Sequence, residues 1–419
     1  MFLNYKKISN AQRHRAGTWP CSLTCALPVI LLVVFGSLFS CFAATVEERM
    51  QQTVMINPHP LGDTRNSASV PYTAQLKGET LWKTGTTQTT NPQPARQLAI
   101  KDDFLVVSYG PSVGLHQRAS GQAVWSWQIG SNFKFQMTPD GLATVDHAGF
   151  FRILHFDKTF SDPLSLPFLD DQTVLFFITR SADEIRYCFA LMPLPTNSPD
   201  DMAVGPQFYY LRYSPKNRDI RWEFSKESEM LDLLHDIPGN RLCVIANNGL
   251  YVFPADAQNE TSVQSVHFEA VLGASLDAGG RIIIAAREMG QPNFSVMALE
   301  SDLKPSWRFD LGPNPILLQP PCPMPDKSIT LLMGKELVNI AAGKRTWAVT
   351  IPGYTDRAFL TVLKDGDFLV AAGPLLTQFT PQGQKRHSAI LEETITCRPI
   401  VDEDNRIYVA GTKGVYCLK

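Results

Sequence analysis

The last stretch of the chain, RIYVAGTKGVYCLK (Arg406–Lys419), reads as two short β-strands around a tight turn. The second strand of this hairpin runs to the end of the sequence, so nothing that follows covers its free edge. An unpaired strand edge is a template for aggregation, and folded proteins pair it or cover it. The segment that pairs with this edge therefore decides the fold.

A turn followed by an apolar strand recurs about every 40 residues along the chain. Asp, Gly and Asn supply the turn, and β-branched and aromatic residues supply the strand. The strands of these copies begin at or near Phe104, Leu142, Leu242, Ile282, Ile329, Phe368 and Ile407. The long interval after Leu142 holds one further copy, with its strand starting at Glu184. Short strands at this period predict an all-β fold, an eight-bladed β-propeller.

Tryptophans keep step with the repeat in a fourth segment of several units, at Trp125, Trp222, Trp307 and Trp347. The eighth unit ends after its third strand and lacks such a segment. The segment KGETLWKTG (Lys77–Gly85) precedes the first unit, and its Trp82 lies one repeat before Trp125. We predict that this N-terminal strand closes the last blade by pairing with the C-terminal edge. The tryptophans are then expected near the outer rim, packed between adjacent blades.

Residues 1–44 have the pattern of a signal peptide or membrane anchor. Basic residues precede an uncharged run whose apolar centre is ALPVILLVVFGSLF (Ala26–Phe39), which is typical of export with the N-terminus inside. The end of this run, LFSC (Leu38–Cys41), resembles a bacterial lipobox, and that resemblance makes Cys41 a candidate lipidation site. Cleavage near Ala43 without a lipid, and an uncleaved anchor, remain open. Residues 45–75 are predicted as a polar tether and residues 76–419 as the propeller.

Composition and cysteine spacing exclude several classes of protein. Hydrophobic residues make up 44% of the chain and the formal net charge is −2, so a large core is expected and a basic surface for nucleic acid is not. The body holds an odd number of cysteines with no CxxC spacing, which predicts neither a disulfide framework nor a metal site. These cysteines are Cys188, Cys243, Cys322, Cys397 and Cys417. GPSVG (Gly110–Gly114) matches a nucleophile elbow, but it lies within a predicted hairpin, so Ser112 is not expected to be a nucleophile.

Two segments resemble the docking motif of the quinoprotein-type (PQQ-like) propeller repeat, in which a Gly precedes a Trp by four residues. They are SGQAVW, with Gly121 and Trp125, and AGKRTW, with Gly343 and Trp347. The acidic position earlier in that motif is Gln117 in one copy and Asn339 in the other. The family includes pyrroloquinoline-quinone dehydrogenases and non-catalytic relatives, among them the lipoprotein propeller of the outer-membrane β-barrel assembly machinery. The resemblance is stronger to the second kind.

The resemblance to the dehydrogenases lacks the residues that their chemistry needs. Those enzymes carry an adjacent pair of cysteines and a calcium site, whereas no two cysteines are adjacent here. The acidic stretch at Asp402 repeats an inter-strand turn and has no calcium-loop continuation. We therefore expect a non-catalytic protein with no cofactor and no metal.

The sequence thus predicts an exported protein-binding scaffold that works in the cell envelope. It is expected in the periplasm or another extracytoplasmic space, tethered to a membrane by its N-terminal lipid or anchor. Its expected partners are envelope proteins, with a single copy of the chain in each complex and no nucleic acid. Two alternatives remain, a propeller that binds carbohydrate or another small ligand, and a PQQ-dependent oxidoreductase with degenerate motifs.

Overall fold

A computed structural model describes the chain from Ala68 to Lys419, apart from short stretches of which the longest are 86–93, 129–134, 166–171 and 194–207. The chain divides into two units, Met1–Gln52 and Thr53–Lys419, and every described residue belongs to the second. The predicted leader, its Cys41 and most of the predicted tether lie outside the described residues. The proline-rich stretch LMPLPTNSPDDMAVGPQ (Leu191–Gln207) also lies mostly outside them; the sequence predicts it as an insertion between the second and third strands of its unit, on the face where the connections between units emerge.

The described residues form four-stranded antiparallel sheets in which the chain runs up and down through successive strands. Strand β1 (Thr80–Gly85) precedes the first complete sheet. Sheet 1 holds β2 (Gln97–Lys101), β3 (Phe104–Ser108), β4 (Ser112–Gln117) and β5 (Ala123–Gln128). Sheet 2 holds β6 (Phe135–Thr138), β7 (Gly141–Val145), β8 (Phe150–His155) and β9 (Leu164–Ser165). Sheet 3 holds β10 (Gln172–Ser181), β11 (Glu184–Pro193), β12 (Phe208–Ser214) and β13 (Asp219–Lys226).

The second half of the chain repeats the same pattern. Sheet 4 holds β14 (Met230–Ile237), β15 (Arg241–Ala246), β16 (Gly249–Pro254) and β17 (Gln264–His267). Sheet 5 holds β18 (Ala270–Leu276), β19 (Ile282–Arg287), β20 (Phe294–Leu299) and β21 (Pro305–Gly312). Sheet 6 holds β22 (Cys322–Pro323), β23 (Ile329–Met333), β24 (Glu336–Ala341) and β25 (Lys344–Thr350). Sheet 7 holds β26 (Ala358–Val362), β27 (Phe368–Ala372), β28 (Leu375–Phe379) and β29 (Lys385–Ile390).

The last sheet joins the two ends of the described chain. Sheet 8 holds β30 (Ile400–Val401), β31 (Ile407–Ala410) and β32 (Gly414–Leu418), and its fourth strand is β1. Trp82 of β1 lies opposite Cys417 of β32 in an antiparallel pair. The C-terminal edge is therefore paired by the N-terminal strand, as the sequence predicts.

Neighbouring sheets meet mainly through their first strands, as blades around an axis do. β14 contacts β18, β18 contacts β22, and β2 of sheet 1 contacts β31 of sheet 8. Side chains reinforce these boundaries: the Ser275 hydroxyl donates to the Pro321 carbonyl at 2.6 Å, and the Thr361 hydroxyl donates to the Pro399 carbonyl at 2.6 Å. The described residues give eight sheets. Their closure into one ring of eight blades stays a prediction, because many side chains of sheets 2 and 3 lie outside the described part.

The turns of each sheet fall at two ends, which we call upper and lower. Because the strands alternate in direction, the turns between strands one and two and between strands three and four share the lower end. The turns between strands two and three share the upper end with the connections from one sheet to the next. The insertion after Pro193 joins β11 to β12, so it connects upper ends, as the sequence predicts.

Residues 68–77, which we call the strap, extend the body beyond the predicted boundary at Leu76. Alternate side chains of the strap are buried, with exposed fractions of 0% for Ala68, 3% for Val70, 6% for Ala74 and 0% for Leu76. Val70, Ala74 and Leu76 join the core that sheets 7, 8 and 1 share, and Ala68 joins the core between sheets 6 and 7. In this part of the predicted tether (residues 45–75), the even-numbered side chains form a packed apolar face.

Candidate functional site

Two of the tryptophans that mark the repeat, Trp82 and Trp347, each clamp one sheet to the next. The ring of Trp82, on the outer strand of sheet 8, lies against Gly121 in the lower turn of sheet 1, and its indole N–H donates to the Arg118 carbonyl at 3.1 Å. Trp347 of sheet 6 lies against Gly383 of sheet 7 in the same way, and its N–H donates to the Pro381 carbonyl at 3.1 Å. We call this arrangement the tryptophan clamp.

Each clamp needs a glycine for two reasons, the backbone conformation at that position and the closeness of the indole ring. Gly121 and Gly383 have φ angles of 71° and 77°, in the left-handed region that glycine favours. A Cβ at position 121 would lie 2.5 Å from Cε3 of Trp82, and one at position 383 would lie 2.8 Å from Cε3 of Trp347. Gly121 therefore receives a tryptophan from the preceding sheet, and Trp125 lies four residues later on the strand that faces the next one. This links the spacing of the motif to the packing of successive sheets.

The other predicted tryptophans occupy equivalent strands. Trp125 packs on a cluster that joins sheet 1 to Leu154 of sheet 2, and Trp307 packs on a cluster shared by sheets 5 and 6. Trp222 lies in β13, opposite Arg212, and its side chain lies outside the described part. The described tryptophans are thus structural groups at boundaries between sheets.

The motif position that is acidic in the resembling family holds a buried amide in sheet 6. The Asn339 side chain is 2% exposed, and its Nδ2 donates to the Ser328 hydroxyl at 2.8 Å and to the Thr330 hydroxyl at 3.1 Å. The Thr346 hydroxyl donates to its Oδ1. An amide supplies both donors and an acceptor, so the departure from the family pattern leaves this buried group satisfied.

The boundary between sheets 8 and 1 carries a charged latch beside its tryptophan clamp. Arg118 donates to both carboxylate oxygens of Glu403, at 2.9 and 2.5 Å. Its Nε also lies 3.7 Å from Oδ2 of Asp402. Burial raises the pKa of Glu403, but the hydrogen bond and charge of Arg118 outweigh it, so that pKa lies below its usual value. Bidentate pairing of this kind fixes the relative position of the two sheets.

Asp402, the acidic residue weighed above as a calcium ligand, is fully buried and occupied by its own turn. Its Oδ1 accepts hydrogen bonds from the backbone N–H groups of Asp404 and Arg406, each at 2.9 Å. Its Oδ2 accepts the Tyr408 hydroxyl at 2.8 Å. Burial, followed by the Asp402 charge, raises the pKa of Tyr408. The carboxylate therefore stabilises a lower turn of sheet 8.

A second buried carboxylate, Glu393, supports the upper turn of the same sheet. It is 7% exposed and accepts hydrogen bonds from the Tyr416 hydroxyl at 2.7 Å, from the Thr412 hydroxyl at 3.0 Å and from the backbone N–H of Lys413. A Cβ at Gly411 would lie 2.6 Å from the Glu393 side chain. These contacts hold the turn and the strand that follows it, so this group also has a structural role.

The hairpin that holds Ser112 is a buried structural element. Ser112 begins β4, is 2% exposed and follows a tight turn in which the Tyr109 N–H donates to the Ser112 carbonyl at 2.8 Å. The elbow motif therefore joins two strands, and no helix follows it. Nearby His116 is fully buried, and burial lowers its pKa. Its Nδ1 lies 3.3 Å from the Gly121 carbonyl, which orients the imidazole behind the tryptophan clamp.

Four body cysteines are buried in the core, and none of them forms a disulfide within the described part of the chain: Cys243, Cys322, Cys397 and Cys417. Burial raises the pKa of the Cys397 thiol to about 12 and that of Cys417 to about 11. Among the described residues no group of three or more His, Cys, Asp and Glu side chains is placed to hold a metal ion. Within the same residues no helix is long and apolar enough to cross a membrane.

The upper ends of sheets 5, 6 and 7 expose large apolar side chains. Met289 is 67% exposed in the upper turn of sheet 5, Ile316 is 66% exposed in the connection to sheet 6, and Ile390 is 80% exposed at the end of β29. The Ile316 carbonyl accepts the N–H of Gly334, so it lies beside the upper turn of sheet 6. We call this set the upper apolar face.

Proline stiffens the loops that carry these side chains. Pro292 lies in the upper turn of sheet 5, Pro313 precedes Ile316, and Pro374 lies in the upper turn of sheet 7; all three are exposed. The Pro374 carbonyl accepts the N–H of Leu391, which holds the segment after Ile390 against that turn. Fixed φ angles and these backbone hydrogen bonds hold the apolar tips in defined positions.

A cavity of about 140 Å³ lies at the lower ends of sheets 4 and 5. Arg241, Arg281 and Glu300 line it together with turn residues. Both arginines are already engaged, Arg241 with the Ser301 carbonyl at 3.3 Å and Arg281 with Asp277 at 2.8 Å. The cavity is smaller than the roughly 300–1,000 Å³ typical of small-molecule sites.

Neither a protein-family model nor a curated protein matches this sequence. Among solved structures, the Dos1 propeller resembles the chain with a TM-score of 0.57 and 10% identity, over 81% of this chain and 95% of that chain. The WD40 domain of Pan2 from Neurospora crassa covers the same shares at a TM-score of 0.46 and 8% identity. The likeness to the Dos1 propeller confirms the predicted all-β propeller fold and, at this identity, shows the fold alone.

Proposed function

We propose that this protein is a non-catalytic scaffold that binds a folded protein partner through the upper apolar face. The observation that carries the proposal is the exposure of Met289, Ile316 and Ile390 at the upper ends of three consecutive sheets. Large apolar side chains grouped on one face, on stiff loops, are typical of protein interaction sites. The propeller fold supports the same role, because its repeated loops present a broad surface on a rigid body.

The shape of this face favours a protein over a small ligand. The three side chains project from loop tips, whereas small-molecule sites are concave and enclose most of their ligand. Charged groups border them, such as the Arg308–Glu288 pair at 2.9 Å. An apolar centre with a polar border is the usual composition of a protein interface.

The remaining parts of the proposal are supported by the sequence and by the contacts of the acidic residues. The leader pattern of residues 1–44 supports export, and its Cys41 supports a lipid tether. Asp402 and Glu393 each stabilise a turn, which supports a structural role for the buried acids of sheet 8. We further propose that the partner belongs to the cell envelope, where the resembling lipoprotein propeller acts in outer-membrane protein assembly.

Crosslinking of the full chain in its native envelope, followed by mass spectrometry, tests this proposal. We expect the triple variant Met289→Glu, Ile316→Glu, Ile390→Glu to lose the partner crosslinks while its melting temperature stays near that of the wild type. The matched control is Leu81→Glu with Val124→Glu, which charges two side chains of 42% and 41% exposure on outer strands. It is expected to keep the crosslinks.

Three results contradict the proposal. Crosslinks that survive in the triple variant, or that vanish equally in the control, would remove the upper apolar face from the interaction. Glycan-array binding by the purified chain, abolished by the triple variant, would assign the face to carbohydrate. Calcium-dependent dye reduction after addition of pyrroloquinoline quinone would show an oxidoreductase instead.

A further inference from the structure

The strap lies in a groove at the lower ends of sheets 7 and 8 and is held mainly through its backbone. The Val362 N–H donates to the Ala68 carbonyl at 2.8 Å, and the Val70 N–H donates to the Val362 carbonyl at 2.9 Å. Ser69 and Val362 thus form a parallel bridge on the free edge of β26. The Lys364 N–H donates to the Tyr72 carbonyl at 3.0 Å. The strap adds an extended segment to the edge of a sheet, which is a known mode of peptide recognition.

One buried side chain forms hydrogen bonds with the backbone of the second half of the strap. Gln378 is 2% exposed; its Oε1 accepts the Leu76 N–H at 2.8 Å and its Nε2 donates to the Ala74 carbonyl at 3.0 Å. The amide therefore pairs with a backbone N–H and C=O as a neighbouring strand does. Asp367 accepts a second hydrogen bond from the same Nε2 at 2.8 Å, and Arg386 lies 2.7 Å from that carboxylate. This network orients the amide toward the groove.

The side chains of the strap show which side-chain sizes the groove accepts. Ala68, Val70, Ala74 and Leu76 point into the core, whereas Pro71, Thr73 and Gln75 are exposed. The groove therefore demands small or aliphatic side chains at alternate positions and leaves the others free. Any extended segment with that alternation meets the same requirements.

The position of the strap in the chain allows its exchange. It precedes β1, so it can separate from the Ala68 end without breaking the pairing of β1 with β32. An empty groove is costly, because Gln378 would lose its hydrogen bonds to the strap backbone and the core side chains that pack against Val70, Ala74 and Leu76 would be exposed to water. The strap therefore leaves only when another segment replaces it.

We propose that this groove is a peptide-binding site that the strap fills in cis, and that it accepts in exchange an extended segment of a partner protein with small or aliphatic side chains at alternate positions. The groove lies at the lower ends of the sheets, so this inference goes beyond the proposed function of the upper apolar face. A segment tethered in cis acts at a local concentration of about 1 mM or more, so the exchange favours the strap until a competitor of comparable local concentration arrives.

A synthetic peptide with the sequence of residues 66–78, labelled with a fluorophore, tests the exchange by fluorescence anisotropy on the full chain. We expect weak binding to the wild type and at least tenfold tighter binding to the strap variant Val70→Asp, Leu76→Asp, whose own strap no longer fits. Adding Gln378→Ala to that variant should abolish the gain. The matched control is the same peptide carrying both aspartates, which should bind neither protein.

A second measurement uses the wild-type chain and so does not depend on the folding of a variant. The same peptide, with a photoreactive side chain at the exposed position of Gln75, is expected to crosslink to the turns 363–367 and 402–406 at millimolar concentration. Crosslinks elsewhere, or a folded strap variant that does not bind the peptide, would overturn the proposal. A dimer that forms at high concentration and blocks the peptide would assign the groove to a second copy of this chain and overturn the partner assignment.

Discussion

The boundary between sheets 6 and 7 and the boundary between sheets 8 and 1 contain the same tryptophan clamp but differ in what surrounds it. In both, an indole N–H donates to a carbonyl at 3.1 Å and the ring lies against a left-handed glycine. The chain runs directly from sheet 6 to sheet 7, whereas sheet 8 meets sheet 1 only because distant segments associate. Only the second boundary adds the Arg118–Glu403 latch. Extra contacts are thus found where loop closure costs the most entropy.

Among the substitutions that compare these two boundaries, removal of a clamp tryptophan is expected to have the largest effect on the free energy of unfolding. Trp82→Ala and Trp347→Ala should each lower the free energy of unfolding by about 3 kcal/mol, because each deletes a large, partly buried ring that packs against the core. Urea denaturation measures this loss. Only Trp82→Ala should also expose β1 to limited proteolysis, since Trp82 lies on the strand that closes the body. Proteolysis of β1 in Trp347→Ala to the same extent would show that the two boundaries are equivalent.

Substitution of the clamp glycines separates backbone strain from steric overlap. Gly121→Ala should cost about 2–4 kcal/mol, because a Cβ overlaps the Trp82 ring and the φ angle is left-handed. Gly290→Ala is the matched control, since its φ is 73° and nothing lies within 4 Å of its Cβ position. It should cost about 1–2 kcal/mol, the strain alone. Equal losses of stability for Gly121→Ala and Gly290→Ala in thermal denaturation would show that the Trp82 ring moves aside at no cost in free energy.

The charged latch should make the closing boundary sensitive to acid. The pKa of Glu403 is lowered in the folded state, so its contribution to stability is present above its unfolded pKa of about 4.3 and is lost as the pH falls through the folded value. Glu403→Gln should therefore be less stable than the wild type at pH 7 and approach it below about pH 4. Urea titrations across this range measure the difference. A gap that does not change with pH would show that Arg118 acts through packing alone.

Disruption of the exposed Lys83–Glu392 ion pair at β1 should have the smallest effect on stability. Lys83 lies 2.6 Å from Glu392, but the two side chains are 39% and 81% exposed. Exposed ion pairs are screened by water and salt and add little to stability. Lys83→Ala should leave the urea midpoint within experimental error, at low salt and at high salt alike. A clear loss would show that contact of the Lys83 ammonium with the Tyr416 ring, 5.0 Å away, also stabilises β1.

The architecture could be predicted because its signals are local and repeated. Turn residues, apolar strands and tryptophans recur at one period, and the second strand of each described sheet starts at or next to a residue named from the sequence. The C-terminal edge lacked a partner and the segment around Trp82 belonged to no other unit, so the two could be predicted to pair. The strap could also have been found, since Ala68, Val70, Tyr72, Ala74 and Leu76 alternate with polar residues or proline. The polar composition of the region hid that period.

The contacts that define the candidate sites were not available from the sequence, because they join residues far apart in the chain. Gln378 binds the backbone of residues 74 and 76, and no local pattern distinguishes it from any other strand glutamine. Arg118 reaches Glu403 from a turn that the repeat marks only as a turn. Ile316 and Ile390 look like ordinary core residues until the ends of their strands are known. Tertiary placement alone separates an exposed apolar tip from a buried one.

The pairing of β1 with β32 sets an order of events during synthesis. β1 precedes every other described strand of the body and its partner β32 follows all of them, so β1 stays without a partner while the other sheets are translated. During that interval the charges of Lys77, Glu79 and Lys83 discourage its association with other chains. Completion of sheet 8 therefore waits for β32, and a chain truncated within β32 would be released with both edges open.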